Sequence, residues 1–171
     1  MEFRFETRYD QRGLTAMARA LRKTVRKKSS RRSHIFGWCV VALDILLIAA
    51  QRLLGEPWTF RNTLTLGIGV ILTVILLTED SVNAFFAKKK MLPGTSSARC
   101  VFAEESYTST TEAAVTEFHY EAVQQVCETA DYFVFLFSQR HGQIYDKATL
   151  SGGTVEEFRT FITEKTGKPI A

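Results

Sequence analysis

The chain has few of the residues and motifs that usually carry chemistry. It contains three cysteines and three histidines in 171 residues, and their spacing matches no zinc motif. No paired carboxylates stand out, and Ser151-Gly152-Gly153 is neither a nucleophile elbow nor a phosphate-cradling loop. The sequence therefore predicts a protein that is not an enzyme, binds no metal and uses no cofactor. It also indicates no disulfide framework, as is typical of a reducing compartment.

Positive charge is concentrated near the start of the chain. The net charge is +4, but residues 1–32 carry eleven Lys and Arg, whereas residues 94–171 carry six basic and eleven acidic residues, a net −5. A basic protein often binds nucleic acid. Here the basic excess lies beside two long apolar runs, so the anionic lipids of a membrane are the simpler partner. We expect no nucleic-acid partner.

These two apolar runs form the middle of the chain. The first is Ile35–Leu54 and the second is Phe60–Leu77; at about 1.5 Å per residue, each is roughly as long as the hydrocarbon core of a bilayer is thick. Gly, Pro and an interfacial Trp lie between them. The pattern predicts a transmembrane hairpin with helices over 35–54 and 60–78, the second continuing to about residue 91.

A buried soluble hairpin and a signal peptide both fit these runs less well. A helix buried in a soluble protein usually keeps a polar stripe, and these runs lack one. A cleaved signal peptide would start closer to the N-terminus and end in small residues. The positive charges flanking the hairpin predict that both termini lie in the cytoplasm and that the short turn lies outside.

The residues before the hairpin predict a strand and a helix. Residues 1–9 alternate between apolar and charged side chains, which is typical of a half-buried strand. Residues 10–33 predict a basic amphipathic helix followed by a linker over Ser29–Ser33. The apolar stripe of this helix fits either the membrane surface or the sheet to which the strand belongs.

The residues after the hairpin predict a small β domain over 98–167. Several short β-rich runs follow one another, which favours an antiparallel meander, and residues 154–166 predict a C-terminal helix that begins with a capping box. The strongest strand, Asp131–Ser138, is apolar on both faces. Both faces therefore need to be covered, one by the C-terminal helix and the other by the N-terminal helix, the bilayer or a partner.

Two stretches of this domain resemble a known family. They are HYEAVQQVCETADYFVFLF, starting at His119, and QIYDKATLSGGTVEEFRTFI, starting at Gln143. Together with the order of strand, helix, two spans and β domain, they resemble the YcxB-like bacterial membrane proteins. The fold class is then α+β: a two-helix transmembrane hairpin inserted into a small pleckstrin-homology-like (PH-like) antiparallel β roll with a C-terminal helix. The family itself implies no activity.

One acidic residue lies near the middle of the first apolar run. Asp44 is costly at that depth and is a functional candidate for this reason. Its expected neighbours are Thr65 and Thr73, with Gly67 and Gly69 allowing close approach. A protonated Asp44 bonded to a threonine hydroxyl would hold the hairpin or a homodimer together. We favour this structural role over proton or ion transport.

Three functions remain open from the sequence. The first is binding of a protein or peptide partner by the β domain, or homo-oligomerisation. The second is sensing of anionic lipid by the basic N-terminal helix, and the third is transport through Asp44. The candidate lipid-headgroup contacts share a position close to the first span: Arg22, Lys23, Arg26, Lys27, Lys28, Arg31 and Arg32.

Overall fold

The computed structural model describes residues 2–139 and 141–171, which form four α-helices and seven strands. The helices are α1 (Gln11–Lys23), α2 (Lys27–Leu53), α3 (Phe60–Lys89) and α4 (Val155–Thr166). The strands are β1 (Phe3–Arg8), β2 (Ser97–Phe102), β3 (Ser106–Thr110), β4 (Val115–His119), β5 (Gln125–Glu128), β6 (Tyr132–Leu136) and β7 (Gly142–Asp146). The α+β class predicted from the sequence is confirmed.

The strands form two antiparallel sheets within the described residues. One has the order β1-β2-β3-β4 and the other β5-β6-β7. Arg8 pairs with Ser97 where β1 ends and β2 begins, although the whole of the hairpin separates them in sequence. The helices α1, α2 and α3 are therefore inserted between two neighbouring strands of one sheet.

An aromatic core fills the space between the two sheets and α4. Phe3 and Phe5 of β1 are fully or almost fully buried, and both rings contact the ring of Phe158 on α4. The capping box holds the first turn of α4, since the Thr154 hydroxyl accepts from the Glu157 N–H and the Glu157 carboxylate accepts from the Thr154 N–H. The alternation of β1 thus places its aromatic face in the core of a domain that is completed only at the other end of the chain. In the structure the β domain therefore includes β1 and α1 from before the hairpin, together with β2–β7 and α4, and the name is used in this wider sense below.

The apolar face of α1 packs on the second sheet and not on a membrane. Ala20 and Leu21 form a buried cluster with Val134 and Leu136 of β6 and with Ile144 of β7. The opposite face of β6, with Phe133 and Phe135, belongs to the core beside α4. The second face of β6 is therefore covered from within the chain.

Two sequence-based boundaries were wrong. The predicted helix over 10–28 ends at Lys23, and a turn at residues 24–26 separates it from α2. The predicted linker Ser29–Ser33 is helical, because α2 begins at Lys27 and no proline or glycine interrupts it before Ile35. The first apolar run is thus extended by about two turns of basic helix.

The two long helices carry the apolar runs. Both α2 and α3 are long and apolar enough to cross a membrane, and only 11% of the apolar window of each is buried within the protein. They run antiparallel: Gly37 approaches Leu76, and Asp44 approaches Gly69. Thr78 departs from helical geometry, so α3 bends where its apolar part ends.

Candidate functional site

Asp44 lies against α3 at Gly69. A Cβ atom added at Gly69 would come within 2.4 Å of the Asp44 Oδ2 atom, so only glycine allows this approach. At Gly67 no neighbouring group among the described residues lies within 4 Å of such an atom, and the predicted close approach there is wrong. Thr73 lines the same shallow apolar groove as Asp44, whereas Thr65 does not.

The predicted bond between Asp44 and a threonine is not formed. The Thr65 hydroxyl donates to the Arg61 carbonyl at 2.7 Å, and the Thr73 hydroxyl donates to the Gly69 carbonyl at 2.8 Å. A hydroxyl has a single proton to donate. Within residues 2–139 and 141–171, the buried Oδ1 atom of Asp44 has no hydrogen-bond partner. The protons of both threonine hydroxyls are therefore used within α3 and are not donated to Asp44.

The predicted lipid-binding set of basic residues is divided by the fold. Arg22 binds Asp80 through two hydrogen bonds of 2.7 Å, and Arg19 lies 3.5 Å from the same carboxylate. Burial by itself raises the pKa of Asp80, but the hydrogen bonds and charge of Arg22 and then Arg19 lower it more. Arg22 is thus engaged within the chain. The remaining members of the set are Lys23, Arg26, Lys27, Lys28, Arg31 and Arg32, none of which is buried.

A second polar contact joins the hairpin at the same level. His34 of α2 is hydrogen-bonded to Glu79 of α3. The sequence pattern did not single out Glu79 or Asp80. Their position could have indicated these contacts: they form an acidic pair directly after the second apolar run. In an antiparallel hairpin, that position lies beside the basic residues that precede the first run. The contacts of Arg19 and Arg22 with Asp80 fix α1, and with it the β domain, against the end of the hairpin, whereas the contact of His34 with Glu79 joins α2 to α3.

The strand β4 is an uncovered sheet edge. At the other edge of its sheet, Arg4 of β1 exchanges two main-chain hydrogen bonds of 2.9 Å with Ser151. In the second sheet, the edge of β5 is covered by Ile170 and Ala171. Within the part of the chain that the structure describes, β4 bonds through its main chain to β3 alone.

The two buried thiol groups, of Cys100 and Cys127, give no sign of reactivity. Burial raises the pKa of Cys100, whose Sγ lies 3.4 Å from the Ser109 hydroxyl, and burial also raises the pKa of Cys127. Both therefore stay protonated near neutral pH. No group of three or more His, Cys, Asp or Glu suited to a metal ion occurs among residues 2–139 and 141–171.

One part of the chain, from the end of β2 into α4, matches a known family. Residues 102–162 match the YcxB-like protein family. The resemblance seen in the sequence is confirmed over this YcxB-like segment, which contains β3–β7 and most of α4. The strand β1 and the hairpin lie outside the match. No curated protein and no solved structure matches the chain.

Proposed function

We propose that this chain is a non-enzymatic bacterial inner-membrane protein and that its PH-like β domain lies in the cytoplasm. In this proposal the β domain binds a partner protein by pairing an extended peptide of that partner with β4. The membrane position is supported by the two long apolar helices and the family match. The binding mode is supported by one observation in particular, the uncovered edge of β4 within a YcxB-like segment.

The main-chain groups of β4 are arranged to receive another strand. At the turn before it, the Thr111 N–H donates to the Ala114 carbonyl at 2.8 Å. Because antiparallel pairing alternates, Val115, Glu117 and His119 then direct their N–H and C=O groups away from β3. A peptide in extended conformation satisfies such groups by adding a strand.

The charge around this edge favours a basic peptide. Residues 112–121 contain three glutamates and no Lys or Arg, and Glu112, Glu117 and Glu121 are exposed. Two copies of β4 side by side would bring these carboxylates together, which disfavours pairing of the protein with itself at this edge. Lysine or arginine in the partner would complement the charge.

Panning short random peptides against the full chain in detergent tests this proposal. We expect enrichment of basic peptides that form an extended strand. Val115 is 70% exposed, and proline is tolerated where an edge N–H faces solvent. Val115→Pro removes one outward donor worth about 1 kcal/mol, so it weakens binding about fivefold or more.

Val115→Thr is the matched control, since it keeps the N–H group and a β-branched side chain of similar size. We expect it to bind the selected peptides as the unmodified chain does. Failure to enrich any peptide, or equal binding by the proline variant and the threonine variant, contradicts recognition at β4. Circular dichroism of both variants verifies that the sheet is intact.

A further inference from the structure

A cavity of about 290 Å³ lies where α1, α2 and α3 meet at the end of the hairpin. We call it the junction cleft. Apolar side chains of α1 and α3 form its floor, and polar and basic side chains around the start of α2 and just after the end of α3 form its rim. The floor includes Leu14, Leu21, Ala84 and Ala87, and the rim includes Arg26, Ser30 and Lys90.

The rim of the junction cleft carries unneutralised positive charge. The other charged groups lining it are engaged, because Arg22 is paired with Asp80 and Glu79 with His34. Arg26 and Lys90 are at least partly exposed. Among the described residues, neither has a carboxylate within ion-pair distance.

More basic side chains border the neighbouring surface of α2. One adjoining cleft shares Arg26 and adds Lys27, Lys28 and Arg32, and another adds Lys23 and Arg31. The N-terminus of α2 also has no side-chain cap, so the helix dipole contributes to the same positive field. This surface therefore favours binding of an anionic group.

The end of the cleft that is nearest to the apolar runs, at Ser30, lies at the level of the headgroup layer of a bilayer. Ser30 lies shortly before the apolar run that starts at Ile35, a distance of roughly 7 Å along α2. The headgroup regions extend several Å beyond the hydrocarbon core on each side. On α3, the neighbouring Phe85 and Phe86 are about half exposed, as aromatic side chains at a membrane interface often are.

We propose that the junction cleft binds the phosphate of an anionic phospholipid from the leaflet in which the hairpin ends. Arg26 and Lys90 neutralise the phosphate, and the Ser30 hydroxyl donates to it. The first part of an acyl chain lies on the floor formed by Leu14, Leu21, Ala84 and Ala87. This site is separate from β4 and does not depend on peptide binding there.

Native mass spectrometry of the full chain in detergent, with equal amounts of phosphatidylglycerol and phosphatidylcholine, tests the site. We expect preferential retention of phosphatidylglycerol. Arg26→Gln with Lys90→Gln lowers its apparent affinity about 25-fold, since each cation near a charged lipid contributes about a factor of five. Ala87→Phe narrows the floor without changing charge and lowers the affinity as well.

Arg8→Gln with Arg12→Gln is the matched control, because both residues are exposed and lie outside the cleft while the change in net charge is the same. We expect it to stay within about twofold of the unmodified chain. An equal loss in this control would show non-specific attraction and overturn the proposal. Displacement of the lipid by millimolar glycerol phosphate would also overturn it, in favour of a free-phosphate site without a contribution from the apolar floor.

Discussion

At the scale of single residues, Glu128 connects three parts of the β domain. It lies at the end of β5, accepts a hydrogen bond of 2.6 Å from Lys147 after β7, and accepts two of 2.8 and 2.7 Å from Arg159 on α4. The bonds from Arg159 lower the pKa of Glu128 and, with Lys147, outweigh the effect of burial and bring it to about 2. The carboxylate is thus stabilised in its charged form.

We expect Glu128→Gln to lower the free energy of unfolding by about 2 kcal/mol at neutral pH, because hydrogen bonds to a charged acceptor are lost and two cations keep no anionic partner at this position. The folded-state pKa lies below the ordinary value of 4.5. The stabilisation is therefore complete above pH 4.5 and is lost as the pH falls towards about 2. Chemical unfolding in detergent, followed by near-ultraviolet circular dichroism across this range, measures the difference.

Glu164→Gln provides the control, since Glu164 is an exposed residue of α4. It removes the same charge and is expected to change stability little. A Glu128→Gln variant as stable as this control, or a loss that is the same at pH 3 and pH 7, contradicts the role assigned to the carboxylate.

At the scale of elements, α1 serves both the sheet and the hairpin. Its apolar face covers β6 and β7, and its Arg22 side chain binds Asp80 of α3. Amphipathic periodicity alone cannot distinguish a sheet from a membrane surface, because both accept an apolar stripe. The structure assigns this stripe to the sheet, and the exposed cations that remain belong mostly to α2.

Leu21→Ala tests the packing of α1. Leu21 is buried against Val134, Leu136 and Ile144, so the truncation is expected to lower the free energy of unfolding by about 3 kcal/mol. Leu92→Ala, at a residue that is 72% exposed, is the control and is expected to be close to neutral. Unchanged stability of Leu21→Ala together with weaker membrane association would instead favour α1 on the membrane surface.

At the scale of the whole molecule, the hairpin interrupts one domain. The β domain needs β1 on one side of the hairpin and β2 on the other, so both ends of the hairpin must lie on the same side of any membrane that it crosses. Two antiparallel spans satisfy this condition, whereas a single span would separate Phe3 and Phe5 from the core that they complete. The architecture therefore predicts the topology more strongly than the distribution of charge does.

Cysteine labelling in intact cells measures this topology. Glu56→Cys, in the turn between α2 and α3, is expected to react with a membrane-impermeant maleimide from outside. Thr95→Cys, before β2, is expected to react only after permeabilisation. The native Cys100 and Cys127 are buried, and Cys39→Ala removes the exposed third thiol. Labelling of Thr95→Cys from outside would contradict the proposed orientation.

Features that depend on neighbouring residues could be predicted from the amino-acid sequence. Apolar runs, strand alternation and the Thr154 capping box each report a local requirement for burial or hydrogen bonding, and from them the two long helices and the α+β class follow. The ends of the elements were harder to predict. The start of α2 is an example: the polar residues Ser29–Ser33 indicated a linker, but none of them breaks a helix, and α2 includes them.

Which groups meet depends on the folded chain as a whole. The sequence shows that Leu21, Arg22 and Asp44 each need a partner, but an apolar stripe, a cation or a buried acid can be satisfied in several ways. The fold pairs Leu21 with the second sheet and Arg22 with Asp80, and it places Asp44 beside Gly69 with one oxygen unpaired among the described residues. It also leaves β4 as an uncovered edge and forms the junction cleft from three helices, because long-range contacts and not local periodicity bring these surfaces together.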